Sequence, residues 1–268
     1  MQLPPTAALE HLIKHFLVID VDDIPYRNLR MFSDGNTGMV FNYKDPILIR
    51  QHNTPAASLP SSFFYGPFHH FQDLTATGKI GILVVVFHPF AISSLLKTQA
   101  TSLIDQVLDL EDIYFQEAVD LSDQIHHAQT NLTRIALIED FLLKKMADFK
   151  PANSNALQAV RLIQQGNGDM PVRVILSSLQ ISERKLERVF QEYVGYSPKK
   201  FAGITRIQYF LKLLRQNRPA NYTGLVYEAG FFDQAHLIRT MKNISGLTPG
   251  EYLDQPKLLA ANFLEIPL

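Results

Sequence analysis

Two clusters of side chains in the C-terminal half carry the donors and acceptors needed to read the edge of a patterned polyanion. In the first, Ser182 stands ahead of Arg184, Lys185, Glu187 and Arg188; in the second, Asp233 stands ahead of Gln234, Ala235, His236, Arg239 and Lys242. Arginine bonds bidentately to guanine and glutamine to adenine in the major groove, each good pair discriminating by about 1–3 kcal/mol. Lysine suits phosphate oxygens. A helix groups residues three and four apart. That spacing puts Leu186, Val189, Phe190 and Tyr193 on one face and leaves Arg184, Lys185, Glu187 and Arg188 outward. By the same count Leu237, Ile238 and Met241 turn inward, leaving Gln234, His236, Arg239 and Lys242 available. His236 is the histidine expected to touch phosphate or base; the plainer alternative is a partly exposed helix residue.

Other chemistry has little support. The chain has no cysteine, which excludes disulfides, thiolate metal sites and thiol nucleophiles together. It contains no Gly-x-Ser-x-Gly, no glycine-rich phosphate loop and no His-Glu-x-x-His, so neither catalysis nor a cofactor is expected. His52, His69, His70 and His88 lie in the N-terminal half, but no pair has the spacing of a strong metal motif. Adjacent His69 and His70 would point to opposite faces of a strand. Phe63, Phe64, Tyr65, Phe68 and Phe71 could line an apolar ligand pocket, although core packing, or a loop over a barrel mouth, is the preferred reading. Asp20, Asp22 and Asp23 lack the calcium-loop pattern and read as a solvated acidic turn. His126 and His127 suit a helix C-terminus.

The elements that must hold the two clusters repeat. Val172 to Leu179 reads as a short helix, Gln180 and Ile181 as a turn, and Ser182 as the N-cap of a helix over 183–194. Gly195 stops that helix, and Ser197-Pro198 starts another. About fifty residues later, Thr223 to Glu228 is a short helix, Gly230 breaks it, and Asp233 caps a helix through Ile244. Gly246 stops it and Thr248-Pro249 restarts. Leu186/Leu237, Arg188/Arg239, Gly195/Gly246 and Pro198/Pro249 correspond. Between the units, Ile204 to Arg215 reads as one helix with Ile207, Phe210, Leu211 and Leu214 on its buried stripe. It would act as a strut between two reading heads.

Charge divides the chain in the same place. Residues 151–268 carry fourteen Lys and Arg against nine Asp and Glu, and the stretch Met170–Arg218 carries ten against three. Residues 1–150 carry eleven against seventeen. The basic half suits a polyanion. The acidic half is β-rich to about residue 90, with apolar runs at 15–20, 37–42, 46–50 and 81–87 separated by turn formers. Helical patterning follows from Phe90, and Asn131 to Met146 places Leu132, Ile135, Ile138 or Glu139, Leu142 and Met146 on one stripe. The polar run 150–155 is the linker candidate. No apolar run approaches the roughly 18 residues needed to span a bilayer, and the N-terminus lacks a basic segment followed by a long apolar one. A cytoplasmic protein without membrane contact is expected.

Ile181-Ser-Glu-Arg-Lys-Leu-Glu-Arg-Val-Phe190, Val194-Gly-Tyr-Ser-Pro198 and Thr205-Arg-Ile207 resemble the first half of the DNA-binding domain of the AraC/XylS family of bacterial regulators. Gly230-Phe-Phe-Asp-Gln-Ala-His-Leu-Ile-Arg239, Lys242 and Gly246-Leu-Thr-Pro249 resemble its second half. The likeness covers about residues 155–253. It implies base-reading positions at Arg184, Glu187 and Arg188 in the first head, and at Gln234, Ala235 and Arg239 in the second. Leu176 and Val226 stand where the family has alanine, and Gln180 where it has glycine, which would alter the angle between helices. Some relatives accept methyl groups from damaged DNA on cysteine; a chain without cysteine cannot. The N-terminal half is more loosely similar to the sensory domain of one subgroup, through Pro4-Pro5, Phe32-Ser-Asp-Gly35, Val40-Phe-Asn42, Tyr65-Gly66-Pro67 and Phe87-His-Pro89.

The expectation is therefore an α+β chain. Residues 1–150 form a β-rich barrel or sandwich with trailing helices, for sensing or dimerisation. Residues 151–254 form an all-α double helix-turn-helix domain, and residues 255–268 a tail. The expected function is sequence-specific binding of double-stranded DNA in transcription regulation, modulated by a small-molecule effector or by homodimerisation. The alternative is a ligand-binding or protein-interaction module whose helix-turn-helix domain has lost DNA affinity, motivated by Leu176 and Val226.

Overall fold

The computed structural model describes residues 1–22, 28–50, 56–146, 153–217, 222–255 and 258–266. Apolar, β-branched runs in the first ninety residues become strands that pair antiparallel into two sheets. The first sheet runs β1 (Gln2–Leu3), β2 (Ile13–Val21), β9 (Ile80–Phe87), β4 (Thr37–Asn42), β7 (Ser62–Tyr65), β10 (Val107–Asp109). The second runs β11 (Leu258–Ala260), β12 (Phe263–Glu265), β3 (Asn28–Met31), β8 (Gln72–Ala76), β5 (Ile47–Arg50), β6 (Ala57–Ser58). β9 is buried along its whole length, because it lies between β2 and β4 with both faces covered.

Alternation assigns the faces. Ile82, Val84 and Val86 of β9, with Val40, Phe63 and Tyr65, face the second sheet and pack with Leu29, Leu74 and Phe263. Leu83, Val85 and Phe87, with Phe16, Phe41 and Phe64, face the helices. Those helices are α1 (Ala91–Leu96), α2 (Leu110–Tyr114), α3 (Gln116–His127) and α4 (Asn131–Lys145). In α4 the buried stripe is Ile135, Ile138, Phe141 and Leu142. Leu132, expected on that stripe, is instead 70% exposed, since it lies in the first turn, beyond the reach of the core. Asp20 and Asp22 both pair with Lys44; Asp23, His52 and the first half of the expected linker, 150–152, lie outside the described residues. The second half of that linker does not link but caps and begins a helix, Asn153 accepting from the Asn155 amide.

The C-terminal half is helical: α5 (Ser154–Gln165), α6 (Val172–Leu179), α7 (Glu183–Tyr193), α8 (Pro198–Asn217), α9 (Thr223–Glu228), α10 (Gln234–Ser245) and α11 (Pro249–Leu253). Thr248 and Glu251 close a capping box at the start of α11, satisfying two otherwise orphaned amides. The strut is longer than its expected span. α8 has twenty residues, about 30 Å at 1.5 Å per residue. Ile204, Ile207, Phe210, Leu211 and Leu214 are buried along it. Segment 255–268, expected as a tail, contributes β11 and β12, and β12 pairs with β3 through Leu264 opposite Arg30.

The two halves share one continuous core and a hydrogen-bonded seam. The buried Tyr196 hydroxyl donates to the Phe68 carbonyl (2.9 Å) and accepts from the Ser33 hydroxyl (2.8 Å). His69 donates from Nε2 to the Gly195 carbonyl (3.0 Å) and stacks on Tyr196, ring centres 5.1 Å apart. Lys200 Nζ donates to the His69 carbonyl, and Gln208 to that of Ser33. His69 and His70 therefore lie in a connecting segment, not on the two faces of a strand.

This packing makes stability sensitive to acid. Loss of solvent holds the pKa of His15, His69 and His88 below 6.5, with Lys14 adding to the effect at His15 and His88 and Lys200 at His69. Backbone hydrogen bonds from His69 to Gly195 and from His88 to Glu10 oppose it in part. The unfolded chain then takes up protons near pH 6.5 while the folded one does not. These histidines leave stability complete above pH 6.5 and erode it as pH falls through their depressed values. Thermal melts at pH 7.5, 6.5 and 5.5 should show Tm falling at the last step, and His88→Gln should lessen that fall.

Candidate nucleic-acid interface

α7 and α10 are each set by a cap. The Ser182 hydroxyl accepts from the Lys185 amide at 3.3 Å, and the Asp233 carboxylate from the His236 amide at 2.6 Å. Both side chains thus start their helices. On α7, Arg184, Lys185 and Arg188 are exposed and Glu187 is half-buried, while Leu186, Val189 and Phe190 are buried. On α10, Gln234, Ala235, Arg239 and Lys242 are exposed, while Leu237 and Met241 are buried. Arg184, Lys185, Arg188, Gln234, Arg239 and Lys242 thus lie outward as expected, whereas Glu187 and His236, expected outward, and Tyr193 and Ile238, expected inward, are half-buried.

Some residues have neighbours that the sequence did not announce. The Gln234 amide donates to the Thr223 hydroxyl at 2.8 Å, tying the start of α10 to the start of α9. His236 is half-buried, its ring edge-on to Phe231 with centres 5.3 Å apart. Arg206 of α8 donates to the Gly168 carbonyl at 2.7 Å, pairs with Asp169 at 3.2 Å and sits 5.5 Å from the Phe231 ring. It is an internal tie between the two units.

The departures at the scaffold positions are absorbed locally. Val226 is fully buried, and Leu176 is half-buried against the same core. Gln180 takes a left-handed conformation, φ +52°, at the end of α6, the backbone region for which glycine is the usual choice. Its substitution for glycine therefore keeps the turn and accepts the strain.

Between the two sheets lies a cavity of about 550 Å³, within the range of small-molecule sites. Its apolar walls include Ile82, Val84, Leu74 and Phe263; its polar lining includes Lys14 and Asp34, Gln208 and Arg215 from α8, and Asn262. Lys14 and Arg215 are exposed, which marks the solvent side. Phe63, Tyr65 and Phe68 are buried in the core between the sheets, as the preferred reading has it, and also line this cavity. The reason is strand alternation: β7 sends Phe63 and Tyr65 inward between the sheets and Phe64 outward to the helices. Among the described residues no helix is long and apolar enough to cross a membrane.

Residues 175–255, which hold both exposed stripes, match a family model described as a helix-turn-helix domain. These residues therefore form a helix-turn-helix domain as that model describes it. Residues 1–109 match a model described as a domain of unknown function, DUF6597. An uncharacterized HTH-type transcriptional regulator of Haemophilus influenzae is 25% identical over 200 residues, covering 70% of this chain. The chain spans 61% of that relative's length. In fold, it is similar to ToxT from Vibrio cholerae, with a TM-score of 0.52 at 13% identity, covering 89% of this chain and 97% of ToxT. A structure of ToxT with an unsaturated fatty acid bound gives a TM-score of 0.51 at 15% identity, covering 89% and 94%. The shared fold thus spans a β-rich half as well as the helix-turn-helix half.

Proposed function

We propose that this chain is a sequence-specific DNA-binding transcriptional regulator whose two recognition helices, α7 and α10, read adjacent major-groove segments. The observation that carries this reading is the duplicated unit itself. Two capped helices each present an exposed basic stripe, joined by a strut of about 30 Å, close to the roughly 34 Å turn of the duplex. In this reading Arg184, Arg188, Gln234 and Arg239 meet base edges, with Glu187 and Ala235 beside them. Lys185, His236 and Lys242 reach phosphate, and the helix starts at Ser182 and Asp233 approach the backbone. The domain division is 1–150 for sensing and 151–254 for DNA. A protein reading bacterial promoters works in the cytoplasm.

The cavity supplies the sensing role. Its apolar walls and exposed Lys14 and Arg215 suit an elongated apolar molecule with an acidic head, of the kind that the fatty-acid complex of ToxT contains. Leu132 and Leu143, exposed on α4, offer a second role as a homodimer surface. Nothing favours loss of DNA affinity, since Leu176 and Val226 are accommodated within intact units.

Selection from a random pool of duplexes with the full chain tests the reading. One two-part motif should be enriched, its parts about one helical turn apart, with affinity falling steeply with salt through counterion release. A pool that stays unenriched at low and moderate salt, with and without fatty acid, rejects it.

A further inference from the structure

Gly195 and Gly246 occupy equivalent places in the two units, each ending a recognition helix with left-handed backbone, φ +77° and +72°. Both press on one short stretch of the N-terminal half. A Cβ at Gly195 would lie 2.6 Å from Pro67 Cγ, and one at Gly246 would lie 2.6 Å from Phe71 Cε1 and 2.7 Å from Arg30 Nη1. The same stretch grips the first head again through the Phe68 carbonyl, bonded by Tyr196, and the His69 ring, bonded to Gly195. Arg30 is itself held, paired with both carboxylate oxygens of Asp73 at 2.7 and 2.8 Å and lying 4.0 Å over the Phe71 ring. The other side of the stretch faces the cavity. Phe68 stacks on Tyr65, ring centres 5.2 Å apart and planes 6° from parallel, and both line the space between the sheets.

We propose that the segment Tyr65–Phe71 relays occupancy of the cavity to both reading heads, fixing their relative orientation and hence their joint fit to DNA. The proposal rests on the regulatory reading above. A molecule in the cavity contacts Phe68 directly, and the carbonyl of that residue is the acceptor for Tyr196. Pro67 and Phe71 move with it, so one displacement reaches the stop glycines of both heads. Close-packed seams switch between discrete arrangements and do not deform smoothly. A ligand biases that switch only by binding one arrangement better, and the Phe68–Tyr65 stack is where such a difference would arise. Two heads on one duplex bind together only when geometry allows simultaneous engagement, so a small reorientation has a large effect on affinity.

The full chain contains no cysteine, so Gln191→Cys and Asn243→Cys, exposed on α7 and α10, take nitroxide labels cleanly. The probe is palmitoleate, and the DNA is the duplex enriched by selection. Palmitoleate should shift the interlabel distance and change DNA affinity about fivefold or more. With Tyr196→Phe and His69→Gln combined, it should bind as before, while the distance shift disappears and the affinity change falls below about twofold. Phe71→Leu, which loosens only the grip on Gly246, carries the test if the double variant does not fold. Full coupling in a folded variant overturns the relay and leaves ligand control standing. Palmitoleate that fails to bind the unmodified chain, or binds without changing distance or affinity, overturns the relay and the sensing role given to the cavity, while the enriched duplex keeps the DNA-binding reading standing.

Discussion

Replacing Arg188 and Arg239 together by alanine should lower affinity for the selected duplex by about 30-fold or more, while affinity for a scrambled duplex falls much less. Each arginine, if bidentate to a guanine, discriminates by about 1–3 kcal/mol, and about 1.4 kcal/mol corresponds to tenfold. The two occupy corresponding places in the duplicated unit, both exposed, on α7 and α10. Exposed positions change stability by only about 0.5 kcal/mol, so Tm should hold and the loss can be read as binding. Fluorescence anisotropy on matched and scrambled duplexes across a salt series separates the mechanisms. A base contact relaxes specificity at one position of the motif. A phosphate contact weakens all sequences alike and reduces the salt slope by about one per residue. If the ratio of matched to scrambled affinity is unchanged, these residues do not read bases.

Much of the C-terminal half was legible because its signals are local. Ser182, Asp233, Gly195, Gly246 and the two prolines each act within a turn of their own position, and the structure uses them as the spacing required. The period of the apolar residues likewise identified the strut. What stayed hidden depends on partners distant in sequence. Gln234 finds Thr223 on another helix, and Arg206 finds Gly168 thirty-eight positions away. In the N-terminal half the longer strands stood out as apolar runs, whereas β3, β7 and β8 are short and lie among turn formers. The cavity could be read only after β7 was known to be a strand, because alternation then separates Phe63 and Tyr65 from Phe64. Leu132 shows the converse. Periodicity gave it a face, but only the fold determines where the core ends.

The least legible element is the C-terminal hairpin, and its removal should have the largest effect on stability. Ending the chain at Gln255 should lower stability by about 4 kcal/mol or more, since burying each of two large apolar side chains contributes about 1.5–3 kcal/mol and hydrogen bonds are lost besides. Phe263 and Leu264 are buried, one between the sheets and one in the shared core. Asn262 exchanges two hydrogen bonds with Phe32, its carbonyl accepting from the Phe32 amide at 3.0 Å and its side-chain amide donating to the Phe32 carbonyl at 2.9 Å. Tyr252 of α11 donates to the Ala261 carbonyl at 2.9 Å, so the cut also strips a partner from the end of the second head. At about 2–4 °C per kcal/mol for a chain of this size, Tm should fall by roughly 10 °C. The cut leaves β3 as an unpaired edge, which favours aggregation, and removes Asn262 and Phe263 from the cavity lining. Palmitoleate should then raise Tm less than it does in the full chain, because stabilisation by a ligand follows its affinity. Leu264→Ala should cost about 2–5 kcal/mol through the void it leaves in the shared core while leaving Asn262 and Phe263 at the cavity. Comparing the two separates the hairpin's role in the core from its role as a wall. A truncated chain that melts within two or three degrees of the full one would mean that the hairpin adds nothing to the sheet it pairs with.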